Sequence, residues 1–110
     1  MKDYYNLIIE LSQKTCFKDD YESKKKVREH NRAMTKLYNL KNEMNTPECS
    51  QILLKLLEHE DDRVVLNAAM LCVELKFNLK ETKRKLEWVL NESDDSILSL
   101  NAEQLLRYKF

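Results

Sequence analysis

Apolar residues recur along most of the chain at helical rather than alternating spacing. Tyr4, Leu7, Ile8 and Leu11 share one stripe behind Asp3, a suitable N-cap, so the pattern predicts a first helix from residue 3 to about 16. Phe17, Lys18, Asp19 and Asp20 read as a connection, either aspartate capping a longer helix through Val27, Met34, Leu37, Tyr38 and Met44. Thr46 and Pro47 mark the next start. Threonine accepts from free backbone amides, and proline suits the first helical position because it has no N–H to waste. The third helix carries Leu53, Leu56 and Leu57. A fourth opens after Asp61 or Asp62 and runs to Phe77 and Asn78, with Val64, Ala68, Leu71, Cys72 and Leu75 on its stripe. Asn78 followed by Glu81 has the form of a capping box for a fifth helix over about 79–91. Ser93, Asp94, Asp95 and Ser96 supply the last cap, and Leu98, Ala102, Leu105 and Leu106 define a sixth helix. The expectation is an all-α chain of about six helices in three antiparallel pairs.

Residues 51–75 organise this pattern, because two amphipathic segments there flank a short acidic turn. Ala68 and Ala69 remove side-chain bulk from the second segment, so a neighbouring helix can approach closely. The arrangement returns further on. Leu86, Val89 and Leu90 follow Leu53, Leu56 and Leu57 at an offset of 33, as Asp94 and Asp95 follow Asp61 and Asp62. Leu100, Asn101 and Ala102 follow Leu66, Asn67 and Ala68 at 34, which places one added residue past the turn. A repeat of this length is the mark of stacked helical hairpins, each burying its apolar face on the next.

Composition narrows the class. With 110 residues, Gly 0 and Pro 1, the chain suits a single domain, 1–110, poor in tight hairpins and phosphate-cradling loops. Cys16, Cys49 and Cys72 are widely spaced and odd in number, which suits a reducing compartment. The first residues lack the apolar run of a signal peptide and no stretch approaches ~18 apolar residues, so the expected location is cytoplasmic, without a membrane span. The net charge of +0 argues against generic nucleic-acid binding. It conceals a polarity. Residues 1–45 hold ten Lys and Arg against seven Asp and Glu, a balance of +3; residues 46–110 hold nine against twelve, or −3.

Chemistry is sparse. His30 and His59 have no metal-binding spacing, the cysteines have no adjacent base, and Cys72 falls on an apolar stripe. No enzyme, metal or cofactor is expected. Asp61, Asp62, Asp94 and Asp95 stand where N-caps are required, yet stacked hairpins would place Glu58, Glu60, Asp61 and Asp62 beside Glu92, Asp94 and Asp95 on one rim. That exceeds what capping needs and points to a partner with a basic surface. Lys76, Lys80, Lys83, Arg84 and Lys85 are expected on the opposite edge. Trp88, Tyr108 and Phe110 are candidate interface anchors.

The order of paired leucines, paired aspartates, valine and paired alanines resembles a HEAT-type repeat. Together with His30, Asn31, Arg32, Ala33, Met34 and Leu37, it is similar to a small family of bacterial HEAT-like proteins of unassigned activity, over roughly residues 25–106. The match departs at Val65, where the family carries arginine, and at His30, where it carries an aromatic. The resemblance implies a short right-handed α-solenoid and, by analogy at the level of fold, an immunity or antitoxin partner in a bacterial toxin system. The expected function is therefore non-catalytic binding and neutralisation of a toxin, possessing a basic surface such as that of a nuclease. The rim would act with the outward side of the fourth and sixth helices: Arg63, Asn67, Met70, Glu74, Asn101 and Gln104. The alternatives are nucleic-acid or phospholigand binding through Lys24, Lys25, Lys26 and the basic residues from Lys80 to Lys85, or a general helical-repeat adaptor.

Overall fold

Helix starts are set by side-chain oxygens. The structure, a computed structural model, describes residues 3–14 and 24–110. Among them are α1 (Tyr4–Gln13), α2 (Lys24–Asn39), a 3-10 turn (Leu40–Asn42), α3 (Pro47–Leu56), α4 (Asp62–Leu75), α5 (Leu79–Glu92) and α6 (Ser96–Lys109), with no strand. Asp3 accepts from the amide of Asn6 at 3.2 Å, Thr46 from Cys49 at 3.2 Å, Asp61 from Arg63 at 2.9 Å and Asp95 from Ile97 at 3.0 Å. Each fills one of the donors that a helix leaves open at its first turn.

Several expected boundaries shift for local reasons. α1 stops at Gln13 rather than near 16. α2 tightens into the 3-10 turn instead of running to Met44, where the amide of Glu43 donates to Leu40 O, three residues back, at 3.0 Å. α4 ends at Leu75, where Lys76 enters the left-handed region at φ 59°, ψ 38°. Asn78 precedes α5 but makes no capping bond; its Nδ2 donates to Ser50 O at 3.0 Å instead. Cys16, Asp19 and Asp20 lie outside the described residues, as do the side chains of Lys24, Lys25, Lys26 and Val27.

α4 is the axis of the molecule, packing against α1, α2, the 3-10 turn, α3, α5 and α6. Its residues 64–69 are all buried, as are Leu71 and Cys72, so the single expected stripe has become burial around the whole circumference. Ala68 and Ala69 sit in this segment with no exposed surface, which lets neighbours close in from two sides. Around it α1 contributes Ile8 and Leu11, α2 Ala33 and Leu37, and α3 Leu53 and Leu56. Leu86 and Val89 of α5 and Leu98 and Ala102 of α6 close the far side. The radius of gyration, 13.3 Å, matches about 13 Å for a compact chain of this length.

The two hairpins α3/α4 and α5/α6 align differently from the sequence expectation. Leu53 and Leu86, and Leu56 and Val89, are equivalent buried positions at the offset of 33. The capping aspartates are Asp61 and Asp95, however, which are 34 apart, so the added residue lies before the cap rather than past it. Asp94 therefore has no capping role, and Asp62 corresponds to Ser96.

Candidate protein-binding groove

α4 and α6 run side by side from the acidic turns, and a polar contact fixes them at each end. At their starts, Ser93 Oγ donates to Asp62 Oδ2 at 2.6 Å. At their ends, Lys109 Nζ lies 3.7 Å from Glu74 Oε1, and Lys41 Nζ lies 3.8 Å from the other oxygen of the same carboxylate. Between these ties runs a groove of about 320 Å³. Leu66, Asn67 and Met70 of α4 line one side and Met34 of α2 flanks it. Asn101, Gln104, Leu105 and Tyr108 of α6 line the other, and Lys109 closes the end.

Four of the expected binding residues, Asn67, Met70, Asn101 and Gln104, thus come together. Asn67 was expected to point outward, but it is buried. Its Nδ2 donates to Ser12 Oγ at 2.9 Å, and that hydroxyl donates to Ile8 O at 2.7 Å. Met34, Leu66 and Leu105 were not anticipated as site residues: Met34 and Leu105 fall on apolar stripes of the sequence, and Leu66 enters only as part of the repeat. Methionines on two walls supply adaptable, polarisable contact surface.

The acidic rim is present but largely committed. Glu58 pairs across to Lys85 at 3.2 Å and Arg84 at 3.6 Å, so these two members of the basic cluster meet the acidic turns and are not on the opposite edge. Arg84 also holds Glu81 at 2.6 Å. Asp61 caps α4 and pairs with Arg63 at 3.0 Å, while Arg63 Nη1 also reaches Gln13 O at 3.5 Å. Burial pushes the Asp61 carboxyl up. The side-chain and backbone hydrogen bonds from Arg63, with its nearby charge, outweigh it and hold the group below its ordinary value. His59 Nδ1 accepts from the amide of Asp61 at 3.0 Å. Asp62 and Asp95 serve the turn and the cap. Glu60, Glu92 and Asp94 are exposed and have no ion pair among the described residues.

Aromatic and thiol groups divide by burial. Tyr108 is 74% exposed at the groove, while Trp88 on α5 is 42% exposed, with Lys85 Nζ 5.8 Å from its ring. Cys72 is fully buried. That burial pushes its thiol up, against weaker opposing influences of Thr82 and Asn78, which is the reverse of what a nucleophile needs. Among the described residues, no group of three His, Cys, Asp or Glu side chains is placed to hold a metal ion, and no helix is long and apolar enough to cross a membrane.

No family model, curated protein or solved structure matches the chain.

Proposed function

We propose that the chain is a non-catalytic protein-binding module, most consistent with a cytoplasmic bacterial immunity protein that neutralises a toxin. Its docking surface is the α4/α6 groove together with the free carboxylates of the neighbouring turns. In this reading α3/α4 and α5/α6 are successive HEAT-like hairpins of a short right-handed superhelix. The carrying observation is the Asp62–Ser93 hydrogen bond, which holds both acidic turns at the end of an apolar groove. Apolar anchors inside a polar rim are the general anatomy of a protein interface. Glu60, Glu92 and Asp94 supply uncompensated negative charge, complementary to a basic partner such as a nuclease cleft that attracts phosphates. Arg84 and Lys85 are already held by Glu58, which weighs against the basic face of α5 as the primary site.

The test is co-expression with the product of the adjacent reading frame, followed by binding kinetics on the purified pair. Neutralisation of that product's toxicity is expected. The variant E60K/E92K/D94K should slow association by about tenfold or more, and Tyr108→Ala should hasten dissociation. No neutralisation, or kinetics unchanged in both variants, overturns the reading.

A further inference from the structure

The outer face of α2 carries three cations that pair with no carboxylate among the described residues. Of the five arginines, Arg63, Arg84 and Arg107 are paired with carboxylates. Arg28 and Arg32 are not, among the described residues, and neither is Lys36 one turn further on; all three are exposed. Arg28, Asn31, Arg32, Thr35 and Lys36 line a shallow trough of about 460 Å³. The Thr35 hydroxyl turns back onto Asn31 O at 2.9 Å, leaving the guanidinium, amide and ammonium groups as the outward donors. Glu29, the one carboxylate of α2, lines a second trough towards α1 together with Lys14 and with Arg32 and Lys36 themselves, so three cations there face one carboxylate, and it forms no ion pair with them among the described residues.

We propose that this row binds the phosphodiester backbone of a nucleic acid. Positions 28, 32 and 36 repeat every four residues, a step of about 6 Å along the helix, so three cations can each meet a successive phosphate of one strand. Guanidinium groups favour phosphate by forming two parallel hydrogen bonds. The five residues lining the trough include no aromatic or aliphatic anchor, which a protein interface needs and a phosphate contact does not; the exposed Tyr38 lies beyond its end. The apolar side of α2, with Ala33 and Leu37, is buried in the core, so the helix has no free apolar face to insert into a membrane. Like charges stacked at this spacing work against the helix, which a bound polyanion would reverse. This site is separate from the α4/α6 groove and stands whether or not that groove binds a protein.

The experiment is fluorescence anisotropy with labelled ~20-nucleotide single-stranded RNA, single-stranded DNA and duplex DNA. Binding should weaken about forty-fold for duplex between ~50 and ~200 mM salt, as three neutralised phosphates require, with a shallower slope for single strands. The three arms distinguish which nucleic acid supplies the backbone. R28Q/R32Q/K36Q, which alters only exposed side chains, should lose binding with an unfolding midpoint at or slightly above that of wild type; K80Q/K83Q should bind as wild type. The proposal is overturned if no oligonucleotide binds at low salt, or if R28Q/R32Q/K36Q binds as well as wild type. Binding lost in K80Q/K83Q instead also overturns it, as does retention on phosphatidylserine vesicles without oligonucleotide binding.

Discussion

Ser93 Oγ donates to Asp62 Oδ2 across 31 residues of sequence and accepts from the amide of Asp95 at 3.2 Å. One hydroxyl therefore joins the turn before α4 to the turn before α6. Glu74 performs the equivalent task at the other end by bridging Lys41 and Lys109. The width of the groove thus depends on side chains outside its apolar lining.

Ser93→Ala should accordingly cost more than an ordinary surface substitution. A hydrogen bond to a charged group contributes about 1.5–3 kcal/mol, and here the carboxylate is partly buried. Urea unfolding of Ser93→Ala, Asp62→Asn and the double variant checks this. The double variant should lose less than the two single losses combined; simple additivity would show that the contact carries no coupling energy.

Local signals in the sequence were legible and distant ones were not. Asp3, Thr46, Pro47, Asp61 and Asp95 announce their helices because a cap acts on an amide two or three residues away. Asn78 failed as a cap because its side chain is drawn to Ser50 O on α3, a partner 28 residues distant. The acidic turns stand out in the sequence, and Asp61 meets Arg63 two residues on, but the loss of Glu58 to Arg84 and Lys85 follows from packing that no local pattern reveals. The groove was only half visible. Met70, Asn101 and Gln104 have helical spacing on two helices, whereas Met34 arrives from a third that no local pattern could bring alongside.

Lys76 offers a gain in stability. It holds φ 59°, ψ 38° in a chain with Gly 0, and a side chain with a Cβ is disfavoured there. Lys76→Gly should stabilise the fold by about 0.5–1 kcal/mol, read as a higher thermal midpoint. Asn78→Gly, also at positive φ, should give no such gain, because it removes the bond to Ser50 O.

The Asn67–Ser12 pair is the one buried side-chain to side-chain hydrogen bond between α4 and α1 among the described residues. Asn67→Ala should cost about 1–3 kcal/mol through the lost hydrogen bond to Ser12 Oγ and the cavity together. Ala69→Leu, at the fully buried centre of α4, should cost a similar amount by overpacking. Leu100→Ala, at a position 52% exposed, should stay within about 0.5 kcal/mol. Denaturant midpoints for the three variants separate the cases.

Acid should weaken the fold in two steps. Burial holds His30 below its ordinary 6.5, so the unfolded chain takes up that proton first. The corresponding stability is complete above about pH 6.5 and declines as pH falls through the folded value. Asp61 is held below 3.8, so its contribution is present above that value and is lost as pH falls through its own folded value. His30→Gln should flatten the first decline and leave the second. Arg63→Gln should shrink the second, because it removes the hydrogen bonds and charge of the Arg63 side chain that overcome burial of the carboxyl. Urea midpoints from about pH 7.5 down to about pH 3 provide the measurement, and a single decline unaffected by either substitution would contradict both assignments.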